Sequence, residues 1–180
     1  MNAHTLQCLA AGPAGPIECA VDSPAQAPRG VAVLCHPHPQ HGGTMDNKVV
    51  QTLARAMVQL GYTSVRFNFR GIGRSQGTWD QGQGEVDDAL AVVAAQRVAG
   101  VPLVLVGPAV RSFPMPTVPA DTLVVHGEQD DVVPLAAVFD WARPQSLPLT
   151  VLPGAGHFFH GQLTVLKHIV MAAWASRPAS

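Results

Sequence analysis

Apolar residues along the chain follow two different spacings, and segments of the two kinds alternate. Continuous apolar runs rich in β-branched residues predict strands that are buried on both faces. Apolar residues that recur every three or four positions predict amphipathic helices. The predicted strands are Gly30–His36, Leu103–Val106, Thr122–His126 and Leu149–Leu152. The predicted helices run from near Asp46 to Gly61, from Glu85 to Ala99, onward from Pro134, and over Leu163–Trp174.

Three further segments have extended patterns. Thr5–Ala10 and Ile17–Val21 flank a turn rich in Gly and Pro and predict an opening hairpin or strand pair. Ser64–Phe69 alternates polar and apolar residues, which is typical of a strand with two different faces. Strands that alternate with helices predict an α/β fold with a doubly wound, mostly parallel sheet. The length of 180 residues, without a repeat or a linker, predicts a single domain over residues 1–180.

The chain carries little charge, with 13% charged residues against 47% hydrophobic ones and a net charge of −1. This balance gives no electrostatic basis for binding nucleic acid or an anionic membrane. No apolar run is long enough to span a bilayer, and the start of the sequence lacks the pattern of a signal peptide. Three cysteines without C-x-x-C spacing indicate free thiols in a reducing compartment. We therefore expect a soluble cytoplasmic protein.

The first candidate catalytic residues are an acid and a histidine, each of which follows a predicted strand. Asp130 lies just beyond the strand that ends at His126, and His157 follows the strand that ends at Leu152. A parallel sheet collects its ligands at the carboxyl ends of its strands, and a basic histidine needs a carboxylate on its other nitrogen. Each residue alone has a simpler interpretation, Asp130 as a helix cap and His157 as a loop residue. Their order along the chain favours an acid–base pair.

A second candidate is the turn that follows Cys35. A strand, a Gly-rich turn and a helix in that order can direct backbone amides at an anion. Pro37 and Pro39 have no N–H group, so His38 and Gln40 are the donors that this turn offers. A tight loop whose shape the prolines fix is an equally good interpretation.

Four motifs in this order resemble the α/β-hydrolase superfamily, in its small lidless branch near the dienelactone-hydrolase-like esterases. They are HPHPQHGGTMDN, RFNFRGIGRSQG, HGEQDDVVP and GAGHFFHG, and the resemblance covers nearly the whole chain. It implies an acid at Asp130, a base at His157 and an oxyanion-binding amide in the His38–Gln40 turn. It also implies substrates with an activated acyl group, such as small esters. We predict no cofactor.

The chain departs from this family at the nucleophile. Such hydrolases carry a serine in a G-x-S-x-G turn between a strand and a helix, ahead of the acid. The G-x-S-x-G of Gly73–Gly77 leads into a polar loop, so we interpret Ser75 as structural. The turn should follow Leu103–Val106, where Gly107 and Pro108 come instead. The predicted fold is therefore an α/β-hydrolase sheet shortened by one strand–helix unit.

Other residues can be considered for the nucleophile or for a metal site. Ser112 lies in a Pro-rich segment and Cys35 at a strand end, but neither has a turn that would expose it. The three histidines of H-x-H-x-x-H, which are His36, His38 and His41, suit a metal superficially. No second ligand cluster accompanies them, so we predict no metal site.

The predicted function is hydrolysis of a small acyl ester through an acyl-enzyme, with Asp130 and His157 as the acid–base pair. The alternative is a catalytically inactive hydrolase-like domain that binds a ligand or partner. Removing a strand and its helix from a parallel sheet uncovers apolar faces around Leu103–Val106. We therefore also expect self-association as a homo-oligomer, or reduced stability.

Overall fold

Strands and helices alternate along the chain in the order that the sequence predicts. The computed structural model describes residues 4–96, 103–111 and 115–175. The chain divides into two units, one of residues 1–99 and 174–180 and the other of residues 100–173. Each unit has its own sheet and its own apolar core. The single domain over residues 1–180 stays a prediction.

The first unit is built on a four-stranded sheet in the order β1-β2-β4-β3. Strands β1 (Leu6–Ala10) and β2 (Ile17–Asp22) form the predicted hairpin. Strand β3 (Val31–Leu34) runs parallel to β4 (Thr63–Phe67), which in turn pairs antiparallel with β2. The helices are α1 (Lys48–Gln59) and α2 (Gln83–Ala95). The buried core of this unit contains Ile17, Cys19, Val65, Phe67 and Val92.

Strand β4 is buried on both faces, although its sequence alternates between polar and apolar residues. Its polar face consists of Ser64 and Arg66, of which the first is 0% and the second 2% exposed. Arg66 pairs with Asp22 at 3.2 Å and with Asp46 at 3.3 Å. Helix α1 packs on this strand and keeps water away from Arg66. The charge of the Arg66 guanidinium is therefore balanced by the two carboxylates.

The second unit contains three parallel strands in the order β5 (Val104–Val106), β6 (Leu123–Gly127) and β7 (Leu149–Leu152). Helix α3 (Leu135–Ala142) connects β6 to β7, and α4 (Leu163–Ala175) follows β7. The predicted helix start at Pro134 is confirmed, because Pro134 is the residue that caps α3. The core of this unit contains Val124, Val133, Val138, Ala142 and Leu147.

The predicted α/β class is confirmed, and one prediction about its strands was wrong. The described strands form a four-stranded and a three-stranded sheet. The sequence predicts strands buried on both faces, but every residue of β3 and β5 is only half-buried. Both are edge strands, so within the described ranges only one side of each is covered by a neighbouring strand. The described part of the connection after β5 contains no helix, as the shortened fold predicts.

Candidate active site

The loops that carry Asp130 and His157 lie side by side at the ends of β6 and β7. These two strands are parallel neighbours, so their carboxyl ends meet at one edge of the sheet. A backbone hydrogen bond joins the loops directly, because Gln129 N donates to the carbonyl oxygen of Ala155 at 2.9 Å. The topology therefore brings the predicted acid and the predicted base to the same place.

Gly127, the last residue of β6, permits this close approach of the two loops. A Cβ atom at position 127 would lie 2.4 Å from the carbonyl oxygen of Ala155 and 3.0 Å from that of Gly156. Both atoms belong to the backbone that leads into His157, and neither can rotate away as a side chain would. A residue without a side chain is therefore required where the second loop crosses the end of β6.

The carboxylate of Asp130 is fully buried, and both of its oxygens are engaged. Oδ1 accepts hydrogen bonds from Val132 N at 3.0 Å and from Val133 N at 2.7 Å. Oδ2 lies 2.8 Å from Nδ1 of His157, so the predicted contact between the acid and the histidine is confirmed. The two hydrogen bonds from the amides of Val132 and Val133 fix the turn that leads to Pro134 and α3. Asp130 therefore also stabilises its local turn, which was the simpler interpretation of this residue.

His157 presents one ring nitrogen to Asp130 and leaves the other available. With Nδ1–H donating to the carboxylate, the neutral ring carries its lone pair on Nε2. No residue in the described part of the chain hydrogen-bonds to Nε2, and the side chain is 18% exposed. Gly107 lies beside the ring, and a Cβ at that position would be in ordinary contact with Cε1 of His157, at 3.5 Å. This geometry suits a group that takes a proton from a hydroxyl.

His126 is a member of this cluster that the sequence analysis treated only as a strand-end residue. Its side chain is fully buried, and Nε2 lies 2.8 Å from the carbonyl oxygen of Val133 and 3.5 Å from Oδ2 of Asp130. The carbonyl fixes the proton on Nε2, so His126 donates to the turn that holds Asp130. Within the described ranges, its Nδ1 has no hydrogen-bond partner. The i, i+4 spacing of His126 and Asp130 was the available signal.

The His38–Gln40 turn lies in the first unit, and its backbone is bonded within itself. His38 precedes a short 3₁₀ helix, and its Nδ1 accepts a hydrogen bond from Gln40 N at 3.2 Å. His41 N donates to the carbonyl oxygen of His38 at 3.1 Å. The amide of Gln40 thus already donates its hydrogen bond to the His38 side chain. To bind an oxyanion, this amide would first have to give up that hydrogen bond. Its role in binding an oxyanion stays a prediction.

Ser75 is held in place by two hydrogen bonds inside the first unit. Its hydroxyl donates to the carbonyl oxygen of Asn68 at 2.6 Å and accepts from Glu18 N at 2.9 Å. The side chain is buried, and the chain continues through a loop until α2 begins at Gln83. A serine at the turn between a strand and a helix would instead expose its hydroxyl. These contacts support the structural interpretation of Ser75.

Replacing Ser75 by alanine should lower stability while leaving catalysis nearly unchanged. The substitution leaves the amide of Glu18 and the carbonyl of Asn68 without a partner, at a cost of about 2 kcal/mol. Any ester hydrolysis should stay within a few-fold of the parent. Urea unfolding and p-nitrophenyl acetate turnover measure the two effects, with the exposed Thr78→Ala as control. A loss of turnover of about 10³-fold would identify Ser75 as the nucleophile instead.

The remaining candidates do not gather into a site. Cys35 is exposed one residue beyond β3, and Ser112 lies outside the described residues. His36 uses both ring nitrogens within the chain: Nδ1 bonds the carbonyl oxygen of Pro37 at 2.6 Å, and Nε2 accepts from Phe69 N at 3.0 Å. Burial lowers the pKa of His36. Among the residues described, no three His, Cys, Asp or Glu side chains are placed to hold a metal ion.

Comparison with known proteins agrees with the fold. The profile of the X-Pro dipeptidyl-peptidase (S15) family matches residues 17–94. An α/β serine hydrolase homologue from Coxiella burnetii is 37% identical, with a TM-score of 0.85 over 94% of this chain and 97% of its own. A lidless serine hydrolase from Xanthomonas campestris is 33% identical, with a TM-score of 0.85 over 99% of this chain and 98% of its own.

These similarities define the class of protein, an α/β hydrolase. The chain belongs to the α/β serine hydrolases, in the group without a lid. A segment of 82 residues is also 45% identical to an uncharacterized protein of Rickettsia prowazekii, and this segment spans 34% of that relative's length. In residues 4–96, 103–111 and 115–175, every helix is too short or too polar to cross a bilayer.

Proposed function

We propose that this protein hydrolyses small acyl esters, with His157 as the general base and Asp130 as the group that orients it. The observation that carries the proposal is the 2.8 Å contact between Nδ1 of His157 and Oδ2 of Asp130. It leaves Nε2 with a lone pair toward partly open space, while the buried carboxylate stabilises the imidazolium that forms when Nε2 takes a proton. Its relatives are serine hydrolases, which supports this class of reaction.

We assign the attacking hydroxyl to a water molecule. No serine, threonine or cysteine in the described ranges hydrogen-bonds to Nε2 of His157. In this mechanism His157 takes a proton from water as the oxygen attacks the ester carbonyl. The same proton then passes to the departing alkoxide, which leaves as an alcohol together with a carboxylic acid. General-base catalysis of this kind contributes about 10²–10⁴-fold in rate, so the expected enzyme is slow.

Replacing His157 by alanine tests the proposal, and turnover of p-nitrophenyl acetate should fall by about 10²-fold. The matched control is His160→Ala, which removes an exposed histidine from the same loop and should leave the rate unchanged. Equal rates in the two variants would contradict the role of His157. A fluorophosphonate probe should not label the parent protein, whereas labelling of Ser112 would replace the water mechanism by an acyl-enzyme.

The second candidate function is a hydrolase-like binding domain without catalysis. It is favoured by the observation that also supports water as the attacking group. Among the described residues, Nε2 of His157 has no hydroxyl or thiol partner. This candidate predicts that the parent protein turns over p-nitrophenyl acetate no faster than His157→Ala does. Self-association through the half-buried edge strand β5 would suit such a domain and also stays a proposal.

A further inference from the structure

Cys8 and Cys19 face each other across the hairpin of β1 and β2. The two residues are direct partners in the antiparallel register, and such partners point to the same face of a sheet. Cys19 is 2% exposed and belongs to the core of the first unit, whereas Cys8 is exposed. An accessible thiol therefore lies at the rim of the core beside a buried one.

The hydrogen bonds of the hairpin turn fix the separation of the two cysteines. Gly12 N donates to Gly15 O at 3.1 Å and Gly15 N donates to Gly12 O at 3.2 Å, so these residues form a hydrogen-bonded pair. The register continues from this pair without a bulge, and every second pair, including Cys8 with Cys19, is of the same kind. The Cα atoms of such a pair lie about 5.5 Å apart. Disulfides span Cα separations of about 4.4–6.8 Å.

We propose that Cys8 and Cys19 form a reversible cross-strand disulfide when the chain meets a low-molecular-weight disulfide such as oxidised glutathione. The Cα separation, the shared face and the exposure of Cys8 permit the bond without a change of register. The Cβ atoms of a hydrogen-bonded pair lie about 5 Å apart, so the two strands have to approach each other by about 1 Å to reach the ~3.5–4.5 Å of a disulfide. Cys35 lies beyond β3 and belongs to no cross-strand cysteine pair in the described residues. The proposal is independent of ester hydrolysis.

The bond forms in two exchange steps. The thiolate of Cys8 attacks one sulfur of the small disulfide, forms a mixed disulfide and releases one small thiolate, which takes up the proton that Cys8 lost. Cys19 then attacks the sulfur of Cys8, and its proton goes with the second small thiol as that leaves. Two electrons pass from the cysteine pair to the small disulfide, which is reduced to two thiols.

Burial sets the order of these steps. It raises the pKa of Cys19 to about 11, so Cys19 stays protonated at neutral pH, while the exposed Cys8 meets the oxidant. Closure of the ring should then become about tenfold faster for each pH unit between roughly 7 and 9, because the thiolate fraction of Cys19 rises by that factor. A pair formed by Cys8 and Cys35 would not depend on the thiol of Cys19.

The experiment uses the Cys35→Ser variant, oxidised with glutathione disulfide, unfolded in acid and then alkylated. We expect a monomer that is lighter by two hydrogens, carries neither glutathione nor alkyl groups, and gives a linked peptide pair containing Cys8 and Cys19. Dithiothreitol should restore two alkylatable thiols. The control, Cys8→Ser in the same background, should keep Cys19 alkylatable. Peptide mapping of the oxidised parent protein should give the same linked pair.

A glutathione adduct that persists on Cys8 while Cys19 remains alkylatable would overturn the proposal, because the two sulfurs would then fail to reach each other. A disulfide between two chains would overturn it as well. Since the readout is the mass of the peptides, it gives the same answer whether or not the protein hydrolyses esters.

Discussion

The protein with Asp130 replaced by alanine is expected to lose about 3 kcal/mol of its free energy of unfolding. The substitution leaves Val132 N, Val133 N and Nδ1 of His157 without their acceptor, and the Val133 bond is buried while the other two are partly buried. Each unsatisfied buried donor is costly because it has given up water without gaining a partner. If the protein is an esterase, turnover should also fall by about 10²-fold, as in His157→Ala, because Asp130 acts through that histidine. Urea unfolding followed by circular dichroism and p-nitrophenyl acetate turnover measure the two losses.

Two neighbouring variants separate the structural and chemical parts of this effect. Asp131→Ala removes an exposed carboxylate next in the chain and should change neither quantity. Asp130→Asn keeps an oxygen for the two amides, so most of the stability should return while turnover stays low. If Asp130→Ala unfolded at the same urea concentration as Asp131→Ala, the carboxylate would not be holding its turn.

Replacing Gly127 by alanine should have the second large effect, a loss of about 3 kcal/mol in stability. The new Cβ would lie 2.4 Å from the carbonyl oxygen of Ala155, so the backbone leading to His157 must move. A displacement of the base by about 1 Å costs on the order of 10²-fold in rate. Thermal unfolding and esterase turnover should therefore both respond to a single methyl group.

Gly156→Ala is the matched control for this prediction. Among the described residues, a Cβ at position 156 would meet only the carbonyl oxygen of Gln129, at the ordinary contact distance of 3.7 Å. The control should remain within about 1 kcal/mol of the parent, as Gly to Ala changes do at compatible positions. Similar stability in the two variants would mean that the loops can separate without cost.

The contact between Asp130 and His157 could be predicted because it depends on topology. Each residue follows a strand, and a parallel sheet brings the carboxyl ends of neighbouring strands together whatever the side chains between them. The strands and helices were predictable for a similar reason, since a hydrophobic period is a property of a short segment. The helix that begins after Pro134 shows this, because a proline and an apolar repeat suffice to define its start.

The contacts of His126 and of Gln40 could not be predicted in this way. The ring of His126 is directed to the carbonyl of Val133, and the ring of His38 accepts the amide of Gln40. Both depend on the rotamer that one side chain adopts among its neighbours, which spacing does not specify. The half-burial of β3 and β5 was missed for a different reason. An apolar run predicts a strand, but the number of strands beside it depends on distant parts of the chain.

Among the described residues, the hydrogen bonds that support the acid–histidine pair all come from the second unit. The carboxylate of Asp130 accepts hydrogen bonds from Val132 N and Val133 N. One backbone hydrogen bond, from Gln129 to Ala155, joins its loop to the loop of His157. None of these hydrogen bonds involves the segment after β5, where the nucleophile turn of a serine hydrolase would lie. The pair can therefore stay intact when that segment is lost during evolution. An intact pair in a relative of serine hydrolases is therefore a sign that these two loops have been retained.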